Sequence, residues 1–207
     1  MNFGVISALA TYMLVSSFTP GPGNILTLTS MTNYGWKKGK QVVFGICAGY
    51  FCVQLICSLI IYGLSEWFES ALTVIKYVGF AYLIYLAVHI AISKPVDINE
   101  SKKPTFLSGF LLQFVNVKIY MYGLTAMNGY IVPYFNKYII YFAFEMLIAF
   151  VGSLASLTWA FMGVKLQKIY KSKYKIINII LAVFLVYCAV MMLFEYETTL
   201  FENLQYL

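Results

Sequence analysis

The stretch Phe18-Thr19-Pro20-Gly21-Pro22-Gly23-Asn24 decides how this chain folds. Its two prolines remove two backbone N–H donors, and its two glycines leave the backbone unshielded. No helix passes through it undisturbed. In water such a stretch is a loop. Here it lies inside an apolar run with no charged side chain from Met1 to Trp36. In a bilayer, broken backbone survives only where protein or a water-filled cavity covers it. A membrane helix interrupted by proline and glycine points to a transporter's binding site. A proline kink with a packing role alone is the other reading, because both residues are commoner in membrane helices than in soluble ones.

The surrounding composition makes the membrane setting plain. The chain is 61% hydrophobic and 11% charged, with a mean hydropathy of +0.79. Soluble domains carry about a quarter charged residues. Every basic residue is a lysine, and the lysines cluster between apolar runs, so the net charge of +6 is not a nucleic-acid signal. No basic residue precedes Lys37, so the start does not read as an ordinary secretory leader. Cys47, Cys52, Cys57 and Cys188 form no CxxC pair and no zinc spacing, and read as small membrane-buried residues. HExxH and GxSxG are absent, which leaves a membrane enzyme without support; no cofactor and no metal are expected.

Six apolar spans are expected, at about 3–34, 41–64, 72–93, 105–132, 138–163 and 176–194. Eleven lysines fall in the first, third and fifth connections, from Lys37, Lys38 and Lys40 to Lys165, Lys168, Lys171, Lys173 and Lys175. By the positive-inside rule those connections are cytoplasmic and both termini lie outside. The expected fold is therefore an all-α integral membrane protein forming one transmembrane domain over residues 1–207. A polar linker at about 94–104 divides repeat 1 (about 1–93) from repeat 2 (about 105–195), with a short tail at 196–207. Three spans per half make the two repeats inverted. The first helix of each is the unusual one: the first carries the Pro-Gly break, the second carries Gln113-Phe114-Val115-Asn116-Val117-Lys118. Unusual segments at matching places in inverted halves point to a site between them near mid-membrane.

Several residues there carry possible chemistry. Lys118 lies roughly 20 Å into its span at 1.5 Å per residue, too deep to snorkel easily. A lysine at that depth costs about 2.5–3.5 kcal/mol on insertion scales. It reads as a counter-charge for a substrate carboxylate or a proton-linked group, or else as a structural partner that caps broken-helix carbonyls. Glu145, the other charge within a span, could pair with it or face water. A half-helix starting near Gly23 would offer the N–H groups of Gly23, Asn24 and Ile25 to an anion. Asn24 and Asn116 both donate and accept, so a zwitterionic amino acid is a natural guest among small polar solutes. Gly45 with Gly49, and Gly152 with Ser156, are small-xxx-small pairs suited to close helix contact. His89 and the tryptophans Trp36, Trp67 and Trp159 read as interfacial or packing residues.

These residues resemble the LysE/RhtB superfamily of amino-acid exporters. Thr19-Pro20-Gly21-Pro22-Gly23-Asn24 looks like its first-span signature, and Gly79-Phe80-Ala81-Tyr82-Leu83-Ile84-Tyr85-Leu86 like its third-span pattern. Asn116-Val117-Lys118 stands where most members have Asn-Pro-Lys. The nearest likeness is to the cysteine/O-acetylserine exporter branch, where that proline is also replaced; Leu112 to Ile119 and Leu185 to Val190 are similar to it. The resemblance implies six spans and export of small amino acids across the bacterial inner membrane, driven by the proton gradient. It implies site roles for Pro20, Gly21, Pro22, Asn24, Asn116 and Lys118. The partners it implies are an amino acid, protons and the lipid bilayer, with a homo-oligomer open and no nucleic acid. Many members have an acid after the second-span glycine; here Tyr50 follows Gly49. Glu145 has no counterpart in the exporter branch. A regulatory membrane subunit that does not transport is the rival reading, and it gives no reason for Lys118 at mid-bilayer.

Overall fold

The structure is a computed structural model that describes residues 1–93 and 105–204, with the side chains of 64–72 and 192–204 left out. The expected polar linker at 94–104 lies outside the described residues. Those residues form helices and turns, with no strand among them. Helix α1 (Phe3–Phe18) is followed by α2 (Pro22–Leu59), a π-helical segment (Ile60–Leu64), α3 (Ser65–Ile92), α4 (Phe106–Phe114), α5 (Val117–Tyr130) and α6 (Tyr138–Leu204).

Two of these helices are doubled back. Gly35 in α2 has φ 65°, a left-handed conformation that glycine adopts without strain. Beyond it, Gly39 returns to within reach of the Ser30 carbonyl. In α6 the helical dihedrals fail at Lys173. Trp159 Nε1 donates to Phe18 O, and Cys188 Sγ lies 3.8 Å from Pro20 O, so residues from both sides of Lys173 meet the same break. A straight helix would hold them about 43 Å apart. Each long helix thus consists of two arms. Among the described residues, three helical stretches are long and apolar enough to cross a membrane: Pro22–Gly63, Thr73–Ile92 and Tyr138–Met191. The lysines flanking Gly35 and Lys173 mark where the chain turns, but the turns are tighter than the connections expected there. The last arm also runs on to Leu204, past the expected end near 194, because no glycine or proline follows to stop it.

Polarity is arranged inside out. Phe44, Phe150, Phe161, Ile179 and Val183 are exposed on the outside, whereas Asn24, Gln54, Gln113, Asn116, Glu145 and Asn178 are buried. Lipid favours the first arrangement, and the second demands internal partners. Helix α2 makes its most extensive contacts with α6 and α4. The glycine pair behaves as expected: a Cβ on Gly45 would run into the Phe106 carbonyl, and one on Gly49 would lie 2.6 Å from Gln113 Cγ. Gly109 of α4 meets the Val42 carbonyl in return. The second arm of α2 and α4 therefore pack backbone against backbone, which places Gln113 beside the first break. Gly152 receives the Tyr50 ring, with its built Cβ 2.7 Å from the ring. Lys76 is buried in α3 with its ammonium 5.5 Å from the centre of the Tyr77 ring.

Candidate functional site

The first break runs from the end of α1 to the start of α2. Thr19 is extended (φ −59°, ψ 139°), as a residue before proline should be. Pro22 occupies the first turn of α2, where its missing N–H costs nothing. The carbonyls released by the break are collected one by one. Asn24 Nδ2 donates to Ser17 O at 2.9 Å and to Thr19 O at 3.1 Å. Trp159 reaches Phe18 O at 3.2 Å, and the Cys188 thiol reaches Pro20 O. Lys118 Nζ donates to Thr19 O at 3.1 Å. Capping of a broken-helix carbonyl is thus one job Lys118 performs. Ser156 Oγ donates to Asn24 Oδ1 at 3.2 Å, so Asn24 has both amide ends engaged.

The second break falls at Val115 and Asn116, between α4 and α5. Here the Asn116 N–H donates to Gln113 O at 3.3 Å, and Asn116 Nδ2 donates to Gln113 Oε1 at 3.2 Å. Gln113 is fully buried, and its Nε2 lies 2.9 Å from the point where a Cβ on Gly23 would sit. One glutamine side chain therefore stands between the two breaks.

Both breaks open on a single cavity of about 200 Å³. Thr19, Pro20 and Pro22 line it from the first break, and Asn116, Val117 and Lys118 from the second; Leu83 of α3 and Tyr187, Cys188 and Met191 of α6 complete it. Of the expected site residues, Pro20, Pro22, Asn116 and Lys118 are in the lining. Gly21 lies against the Lys118 side chain, where a Cβ would come within 3.1 Å of Nζ. Gly23 and Asn24 stand behind the wall and hold it. The expected row of three free N–H groups is shorter than foreseen, because Ile25 N–H already donates to Gly21 O at 2.9 Å. The Lys118–Glu145 pair is not made: neither carboxylate oxygen of Glu145 has a hydrogen-bond partner. Sequence reasoning quoted Gln113 only as part of the unusual second-half segment and gave it no role, and it gave none to Leu83, Tyr187 and Met191, ordinary residues in apolar runs.

A second cavity of about 310 Å³ lies among the far end of α3, the first arm of α2 and the turn of α6. Its polar lining includes Asn33, Tyr85, His89, Tyr170 and Asn178. Asn33 Nδ2 donates to Tyr170 Oη at 3.3 Å, Tyr170 Oη donates to Asn178 Oδ1 at 3.0 Å, and Asn178 Nδ2 donates to Ser93 O at 2.8 Å. Leu83 lines the first cavity and the adjacent Tyr82 the second.

Comparison with known proteins identifies the family. The family described as LysE type translocator matches residues 14–196. The chain belongs to that family. It is 37% identical over 192 residues to a cysteine/O-acetylserine efflux protein of Klebsiella pneumoniae subsp. pneumoniae, covering 92% of this chain and 98% of that protein. It is 36% identical over 187 residues to the protein of that name in Escherichia coli strain K12, covering 90% and 96%. No solved structure matches it. This LysE-family protein is a multi-pass membrane transporter and not an enzyme. The cavity between the breaks lies wholly within the matched residues.

Proposed function

We propose that the chain exports small zwitterionic amino acids, with cysteine and O-acetylserine first among them, across the bacterial cytoplasmic membrane. The observation that carries this reading is the convergence of both helix breaks on one cavity with the Lys118 ammonium in its wall. Six spans in two inverted repeats of three, with both termini outside, suit it: the arms of α2 and α6 count as two spans each, and α4 with α5 as one broken span. The relatives' efflux names support the substrate class.

The chemistry follows from the Thr19 carbonyl. A carbonyl oxygen has two lone pairs; Asn24 takes one and Lys118 the other. A substrate carboxylate draws the Lys118 ammonium toward itself, since a charge-assisted bond is stronger than one to a neutral carbonyl. The lone pair given up on Thr19 then accepts from the substrate's α-ammonium. A zwitterion satisfies both groups at once. A basic side chain would add a second cation beside Lys118, which disfavours lysine-like substrates. Helices α4–α5 and α1–α2 rock about this point to alternate access. The cavity lined by Asn33, His89 and Asn178 is the cytoplasmic approach, closed by the Asn33–Tyr170–Asn178 chain of hydrogen bonds. The proton gradient drives export, with Lys118 and Glu145 as the coupling groups.

Flux in proteoliposomes containing only this protein tests the reading. Saturable movement of cysteine or O-acetylserine in preference to threonine and lysine, stimulated by a pH gradient and lost in Lys118→Ala, is the expected result. Movement of another amino acid would replace the substrate. Folded protein that moves no solute would favour the non-transporting subunit.

A further inference from the structure

Glu145 and Gln54 form a second polar centre, apart from the cavity. Both are fully buried. Three of their oxygens, Glu145 Oε1, Glu145 Oε2 and Gln54 Oε1, have no hydrogen-bond partner. Gln54 Oε1 and Glu145 Oε2 border one point: a Cβ on Gly123 would lie 2.5 Å from the first and 3.0 Å from the second. Glycine at 123 leaves the space in which the two groups come near each other.

The Gln54 amide has its orientation set from the other side. Its Nε2 faces the Ile119 carbonyl at 3.5 Å, and a carbonyl only accepts. Its oxygen is therefore the end turned toward the Glu145 side. Acceptor facing acceptor in a dry interior is costly unless a proton stands between them. Cys57 of α2 and Tyr122 of α5 lie close enough to feel the charge of Glu145, and neither supplies a positive charge. A hard metal ion would gather about six to eight oxygens, and this centre offers three.

We infer that Gln54 and Glu145 are the proton-binding site of this transporter, with the carboxylic acid of Glu145 donating to Gln54 Oε1. The inference rests on the exporter reading for its purpose and deepens it. Helix α5 links the two centres: Lys118 stands in the cavity wall, its neighbour Ile119 receives the Gln54 amide, and Gly123 abuts Glu145. Substrate that draws on Lys118 displaces the start of α5. The same rigid helix then shifts against Gln54 and Glu145, and the acid loses the partner that keeps it protonated. Substrate binding and proton release are thus joined by one short helix.

Infrared difference spectroscopy of the purified, lipid-reconstituted protein tests the site without relying on transport. Wild type minus Glu145→Gln should show a protonated-carboxyl band at neutral pH, and Gln54→Leu should shift that band by removing its acceptor. No band, or a band unmoved in Gln54→Leu, overturns the inference. In proteoliposomes, Glu145→Gln should lose the stimulation of O-acetylserine flux by a pH gradient. Stimulation that persists in Glu145→Gln, or that follows a sodium gradient instead, also overturns it. Wild-type protein that moves no amino acid but shows both infrared effects would defeat the exporter reading and leave the proton site standing.

Discussion

The two helix breaks solve one problem in opposite ways. At the first, the carbonyls of Ser17, Phe18, Thr19 and Pro20 are taken by Asn24, Trp159, Lys118 and Cys188. Three of those donors come from α5 or α6, about 100 residues or more along the chain. At the second, the donors are local: Asn116 bonds Gln113, and Tyr120 Oη donates to Phe114 O at 3.2 Å. Two prolines enforce the first break, whereas none stands at the second. The first break is thus a junction that feels α5 and α6 together, and the second is a hinge that closes on itself. Under the proposed rocking of α1–α2 against α4–α5, the first break would serve as the fixed point and the second as the local joint.

Breaking the first junction should have the larger effects. Lys118→Ala removes both the cap on Thr19 and the ammonium in the cavity wall. Flux should fall at least about tenfold, the loss that about 1.4 kcal/mol of transition-state stabilisation represents. Asn24→Ala strands the buried Ser17 carbonyl, takes one of its two donors from Thr19 O, and leaves Ser156 Oγ without its acceptor. Each stranded group costs about 1–3 kcal/mol, so the unfolding midpoint in detergent should drop clearly. Asn116→Ala strands one buried acceptor, Gln113 Oε1, at about 1–3 kcal/mol, and should lower the midpoint less than Asn24→Ala, which disturbs three partners. If Asn116→Ala proves as damaging as Asn24→Ala, the contrast between junction and hinge fails. The smallest effect is expected from Val117→Pro. Residue 117 opens α5, where proline is tolerated, so stability should change by less than about 1 kcal/mol and flux should persist.

Much of the site was visible in the residues themselves. Proline, glycine and a lone lysine are conspicuous in an apolar run, because each is costly or disruptive there, and Pro20, Pro22 and Lys118 do line the cavity. Asn24 was conspicuous for the same reason, but its work is to hold the break, since the Ser17 and Thr19 carbonyls and Ser156 claim its amide. Gln54 gave no signal, and Gln113 stood out only as the start of the unusual segment that ends at Lys118. A glutamine in a membrane helix says little until the facing helix is known, and both owe their importance to glycines that let helices close in: Gly123 beside Gln54, and Gly23 and Gly49 beside Gln113. Glu145 stood out as a charge, but it neither pairs with Lys118 nor faces water, the two places expected of it. Depth along a span places a residue in one dimension only, and Lys118 turns instead to the first break.

The sequence by itself determined that this chain lies in a membrane, where its helices break and which lysine sits among them. Those are consequences of local chemistry: a missing N–H, a missing side chain, a charge too deep to reach water. The tertiary structure alone decided what the broken ends touch. Freed carbonyls and buried acids must find partners inside the protein because lipid offers none. Which partners they find depends on how helices pack side by side, and that is set by contacts between residues far apart in the chain.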